Sequence, residues 1–210
     1  MKKSLEGINF MSFNYEQEID EFQKELDEFP QYLCRMCGRC CKSIATSDSH
    51  EELERLAELG NQEAKVFIDI FKRFPSIEEA RKVVPEQVEQ VLNELSLKED
   101  FDINTVSFYY CPHITEENLC SMHGKRPTVC SRAPHHGWSC MPPGCGFEGW
   151  QFELREKYKG MARRLKEHLT AIEAVSDDGK VPGKEMTIEE LRKIIEEKIK
   201  PWSKYGSMFW

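Results

Sequence analysis

Apolar residues recur at helical spacing along most of this chain. Ile19, Phe22, Leu26 and Phe29 form one stripe with acidic positions opposite; Asn14 stands where a helix N-cap belongs, and Pro30 marks the end. Ser49-His50-Glu51-Glu52 reads as a capping box opening a helix that carries Leu53, Leu56 and Leu59 and stops at Gly60. A further pattern covers 62–74 through Val66, Phe67, Ile70, Phe71 and Phe74 and ends before Pro75. Ser76 and Glu79 offer another box, and Pro85, at a first-turn position, precedes Val88, Val91, Leu92 and Leu95. Helical texture returns over 151–174 and 187–200, the latter behind a Thr187–Glu190 capping box.

Between these blocks the texture changes. Phe101 to Tyr110 is rich in β-branched and aromatic residues and predicts a short strand running into Cys111. Residues 111–149 hold five cysteines, four histidines and frequent Gly and Pro, without the apolar periodicity to pack themselves. The predicted fold is therefore mainly α: one helical domain, 1–210, around an irregular, loop-rich cysteine metal centre, with room for a short β-hairpin. Residues 34–41 and 111–145 make the cysteine core, 48–100 a helical insert and 151–200 the C-terminal helices. The aromatic tail, 201–210, is expected to dock on the protein's own surface, a partner contact being the alternative.

Composition narrows the function classes. The 210 residues carry 29 basic and 37 acidic side chains, a net charge of -8, which argues against nucleic-acid binding driven by counterion release. Met1-Lys2-Lys3-Ser4-Leu5-Glu6 has no apolar h-region behind it, and no stretch approaches the length of a membrane span. A cytoplasmic location is expected, where thiols stay reduced. Nine cysteines then read as metal ligands rather than disulfides.

The first group is Cys34-Arg35-Met36-Cys37-Gly38-Arg39-Cys40-Cys41. Three thiols at i, i+3 and i+6 can wrap one centre, and Gly38 permits the tight backbone such a loop needs. A C-x-x-C-x-x-C triplet is the ferredoxin arrangement, whereas zinc favours separated pairs; an iron–sulfur cluster of the [4Fe–4S] type is favoured, with zinc as the alternative. Cys40 and Cys41 are neighbours that cannot comfortably serve one small ion, so either one is spare or each faces a different centre. The second group is Cys111, Cys120 and Cys130, followed by Cys140 and Cys145. Nine thiols fit two four-sulfur sites with one left over, or one site with several spares. Arg35, Arg39, Lys42, Lys125, Arg126 and Arg132 gather positive charge beside the cysteines, which favours thiolate.

Taken together, Cys34-x-x-Cys37-Gly38-x-Cys40-Cys41, Cys111-Pro112 and Cys120-x-x-His123-x-x-Arg126-Pro127-x-x-Cys130 resemble the YkgJ-like cysteine-cluster family of zinc- or iron-chelating domains. The resemblance runs over 34–145, with a helical insert between its halves. It implies metal chelation and supplies no reaction. Ser131 precedes Arg132 where the family commonly has an arginine directly after the last cysteine. Ligation by Cys140 and Cys145 rests on spacing alone. The cysteine block is also similar to that of flagellin lysine methylases, but no methyl-donor motif accompanies it.

Other signals are weaker. Gly144-Cys145-Gly146-Phe147-Glu148-Gly149 spells G-x-G-x-x-G, yet no strand precedes it, and chance or a metal-loop turn is the better reading. His50-Glu51-Glu52 lacks the second histidine of a zincin. His123 and Arg126 are candidates to support a bound centre, His123 by donating to a thiolate, with direct ligation of the centre as its alternative. His135 and His136 read as surface, with a labile ligand or an acid–base pair as alternatives. Three functions stay open: an iron–sulfur protein for electron transfer or for the maturation of a redox or metalloenzyme partner, a structural zinc module, and an enzyme with an incompletely ligated cluster.

Overall fold

Side-chain caps set most of the helix starts. The structure is a computed structural model and describes residues 13–46, 48–97, 101–134 and 137–203. Asn14 accepts from the Glu16 and Gln17 N–H groups to open α1, Tyr15–Asp27, which buries Ile19, Phe22 and Leu26. After the single turn α2, Arg39–Lys42, come α3, His50–Glu58, and α4, Gln62–Ile70, capped by Ser49 and Asn61. Ser76 caps α5, Ile77–Val83, and Pro85 begins α6, Pro85–Leu95. A one-turn helix α7, Thr128–Ser131, precedes the long α8, Glu148–Val175. At α9, Ile188–Ile199, Thr187 and Glu190 close both bonds of the capping box. None of the described helices is long and apolar enough to cross a membrane.

Contacts divide the chain into two compact units. The first is built from the described parts of 1–29, 136–138 and 150–210. Its core joins Ile19, Phe22 and Leu26 of α1, Leu165 and Leu169 of α8, and Leu191 and Ile195 of α9. Arg164 pairs with Glu18 at 2.6 Å and Lys157 with Glu25 at 2.7 Å on its surface. Trp202 packs against this core, its ring 5.2 Å from that of Phe22. Tail residues 204–210 lie outside the described residues, as do His135 and His136.

The second unit, within 30–135 and 139–149, holds all nine cysteines; Cys41, Cys111 and Cys130 pack in the cluster of Tyr109 and Cys140 in that of Phe108, both residues of one small sheet. Its strands are β1, Ile44–Ala45, β2, Lys72–Arg73, and β3, Phe108–Tyr110, in the order β1-β3-β2 and antiparallel throughout. The short strand expected before Cys111 is thus the central one, and its partners come from far along the chain. Ile44 lies opposite Tyr109 and Ala45 opposite Phe108; on the other edge Lys72 lies opposite Tyr110. Successive strand residues face opposite ways. Tyr109 joins Leu53, Ala64, Phe67 and Phe71, while Phe108 joins Ala80, Val88, Val91 and Leu92.

Two helical expectations are corrected. The 62–74 pattern ends at Ile70, because Phe71 turns extended and Lys72 and Arg73 pair with β3. Leu59 is 71% exposed, lying past the end of α3 in the turn at Gly60.

Leu165 is fully buried, so Leu165→Ala should destabilise the first unit by about 2–5 kcal/mol through lost contacts and a residual cavity. Urea unfolding followed by tryptophan fluorescence measures this; an unchanged midpoint would contradict the packing described.

Candidate metal centre

Three stretches of chain meet here, and each is held by a different device. In the first, Gln31–Leu33 makes a tight turn whose Gln31 carbonyl accepts from the Cys34 N–H at 3.1 Å. Gly38 then adopts a left-handed φ of 71° before α2 begins. A Cβ at Gly38 would lie 2.7 Å from both the Asn118 carbonyl oxygen and Ile114 Cδ1. Glycine is therefore needed twice over, for its φ and for the closeness of the 114–118 turn. Cys40 and Cys41 sit side by side in α2.

The second stretch is fixed by the sheet. Carrying the β1–β3 register past Tyr110 brings Cys111 alongside α2, and the Cys111 N–H donates to the Cys41 carbonyl at 2.7 Å. Ser43, which follows α2, is buried and its carbonyl accepts from Gln87 Nε2 at 2.8 Å, tying the helical insert to this point. The chain then doubles back. Ile114 bridges to Cys120, and the Ser121 N–H and hydroxyl both donate to the His113 carbonyl, at 2.9 and 3.0 Å. Asn118 takes φ 64° at the turn between them. Pro127 caps α7, and the Cys130 N–H donates to its carbonyl at 3.0 Å.

Arginine clamps hold the third stretch. Arg39 Nη1 donates to the Pro143 carbonyl at 2.7 Å, and Arg35 Nη1 to the Gly144 carbonyl at 3.4 Å. Gly146 comes so close that a Cβ there would lie 2.0 Å from the Leu33 carbonyl oxygen. Within the G-x-G-x-x-G string, Gly144 takes a left-handed φ of 73°, and Gly146 alone permits the backbone approach that seats Cys145 over the first loop. Glu148 accepts from the Gly144 N–H at 2.6 Å and braces the same turn.

All nine thiols are free of disulfides. Cys145 feels the charges of Cys37 and Cys34, and Cys40 those of Cys41, Cys34 and Cys37. On the other side Cys130 feels Cys111, Cys41 and Cys120. The Cys40 thiol donates to the Cys41 sulfur, which with help from the Arg126 guanidinium lowers the Cys41 pKa to about 7, against the pull of burial. Cys40, the proton donor of that pair, is held well above its ordinary value. Burial first, then its neighbouring thiolates, push Cys130 up to about 11. Burial likewise raises Cys111 and Cys145, and each is eased by an amide two residues on: the His113 N–H faces the Cys111 sulfur and the Phe147 N–H that of Cys145. Among the described residues, no three His, Cys, Asp or Glu side chains stand at the separation that holds a single ion as they are now oriented. The donor chemistry fits a thiolate-bound metal or cluster. Its sulfurs are reduced and crowded enough to oppose one another's ionisation, and amides already point at them.

Some expectations find a different setting. Arg35 and Arg39 spend their guanidinium groups on carbonyls of the 143–144 turn, while Arg126 acts on Cys41 and Cys130. The His123 side chain is exposed, and it is the His123 carbonyl that accepts from Arg126 Nε, at 3.3 Å. Cys140 packs into the apolar cluster around Phe108. His50 bonds through Nδ1 to the Tyr109 hydroxyl at 3.1 Å and faces Glu54 at 3.4 Å, pinning the start of α3 to the sheet. Unforeseen were Gly146, Ile114 and Asn118, whose roles depend on contacts between stretches far apart in sequence.

A helical scaffold that gathers reduced thiols from remote segments around two tight turns defines a thiolate metal chelator. The family model named CxxCxxCC, "Putative zinc- or iron-chelating domain", matches residues 33–158, and the chain belongs to that family. No curated protein and no solved structure matches it recognisably.

Gly146→Ala should lower the metal content of purified protein by about half, because the loop bearing Cys145 can no longer meet Leu33; Gly124→Ala, in open space, should leave it unchanged. Equal metal in both variants would contradict the clamp. In protein stripped of metal, iodoacetamide should modify Cys41 first, with an inflection at about pH 7, and Cys130 late. Mass spectrometry of timed digests reads the order; uniform labelling with an inflection at about 8.5 would contradict it.

Proposed function

We propose that this protein is a cytoplasmic iron–sulfur protein of the [4Fe–4S] type, working in electron transfer or as an accessory factor to a redox or metalloenzyme. The observation that carries this reading is the donor set: clustered thiols with backbone N–H groups aimed at the Cys111 and Cys145 sulfurs. Hydrogen bonds to sulfur and the degree of burial are the levers by which a protein tunes a cluster's potential. When bound, such a cluster supplies one-electron transfer. The chain's part is to hold thiolates, to exclude water from Cys111, which is buried, and to leave one sulfur accessible.

That accessible sulfur is Cys37. Near it in the chain Tyr32 is 86% and Met36 51% exposed, and Arg35 and Arg39 are exposed as well. Exposed aromatic, methionine and arginine side chains are those enriched where proteins dock, which supports a protein partner for the electron. Zinc is the competing occupant, since structural zinc also takes four thiolates and could order the 111–149 loops by about 10–16 kcal/mol of binding energy.

Purification without air decides between them. The protein should be brown, contain iron and acid-labile sulfide, and give a paramagnetic signal on reduction. A colourless protein with stoichiometric zinc and no sulfide would overturn the iron–sulfur reading.

A further inference from the structure

We propose that the chain holds two four-sulfur centres, one bound by Cys34, Cys37, Cys40 and Cys145, the other by Cys41, Cys111, Cys120 and Cys130, joined through the Cys40–Cys41 peptide. Both centres rest on the family's chelating chemistry and stand whether iron or zinc is the occupant. The division follows from how α2 is built. Consecutive residues of a helix project about 100° apart, so Cys40 and Cys41, whose thiols touch within the single turn Arg39–Lys42, open toward different neighbours. In this division each serves the thiols on its own side.

On the Cys40 side stand Cys34 and Cys37, carried by the same loop; the 114–118 turn meets that loop at Gly38, and the 142–147 turn is clamped onto it by side-chain bonds. Arg39 to Pro143, Arg35 to Gly144 and the contact of Gly146 with Leu33 set Cys145 over Cys34 and Cys37. On the Cys41 side the sheet register delivers Cys111, through the 2.7 Å bond of its N–H to the Cys41 carbonyl. Cys41, Cys111 and Cys130 share one apolar cluster beneath Tyr109. The Ile114–Cys120 bridge and the bonds of Ser121 to His113 fold Cys120 back over Cys111. Electrostatic proximity agrees: Cys145 lies in reach of Cys34 and Cys37, and Cys130 in reach of Cys41, Cys111 and Cys120. Cys140 packs on the opposite face of β3, in the cluster of Phe108, and serves neither centre.

The partition is tested on the full chain, purified without air, by metal and sulfide per chain together with visible and paramagnetic spectra. Cys145→Ser and Cys120→Ser should each lose about half of the metal, from spectroscopically different centres, and the double variant should lose nearly all of it. Cys37→Ser combined with Cys145→Ser should lose no more than Cys145→Ser alone, and Cys140→Ser should match wild type. A single centre per chain, or loss of metal in Cys140→Ser, would overturn the partition. Because a variant can fail to fold, unaltered protein is also titrated with chelator and alkylated as metal leaves. Thiols should become reactive in two groups of four with the membership given above, and mixed groups would overturn it. Two zinc centres per chain would overturn the iron–sulfur reading and leave the partition standing; one iron–sulfur centre would do the reverse.

Discussion

Thiols crowded into a partly buried site oppose one another's ionisation. Each thiolate that forms raises the cost of the next, through repulsion and through the loss of water, so a cluster of four can be fully ionised only around a cation. The structure is arranged about this constraint. Burial and neighbouring sulfurs hold Cys130 and Cys40 high, while a donated hydrogen bond and the Arg126 guanidinium bring Cys41 down. Left alone, such a site is frustrated, and a bound cation relieves that repulsion.

The remaining architecture positions those sulfurs. A three-stranded sheet of very short strands would be marginal by itself. Here it is covered on both faces, by Phe67 and Phe71 against Tyr109 and by Val88 and Leu92 against Phe108. The helical insert between the cysteine blocks therefore acts as a brace, since its residues fill both clusters and Gln87 grips the Ser43 carbonyl just after α2. Two glycines then allow backbone segments to meet, Gly38 beneath the 114–118 turn and Gly146 against Leu33. Side chains at either point would force the thiol-bearing loops apart.

What could be read from the sequence was what local chemistry determines. Asn14, Ser49, Ser76 and Thr187 start helices because a capping oxygen acts within three residues, and the spacing of Cys34, Cys37, Cys40 and Cys41 pointed to the family to which the chain belongs. Readings that depend on distant partners fared less well. Phe71 to Phe74 have a helical pattern, yet strand pairing with β3 takes precedence over it. The G-x-G string at 144–146 looked like a turn, and only the Leu33 carbonyl reveals why glycine is needed there. Arg35 and Arg39 were expected beside thiolates for their charge, whereas their bonds to the 143 and 144 carbonyls, more than a hundred residues away, are what bring Cys145 into place.

X-ray absorption at the edge of the metal that the intact protein carries examines the central constraint most directly, because it reports which atoms touch the ion. If crowded thiolates from the two cysteine blocks are the ligands, the first shell should consist of sulfur alone, at about 2.3 Å. A shell of nitrogen and oxygen at about 2.0–2.2 Å would mean that the metal sits elsewhere and that the thiols are not its cage.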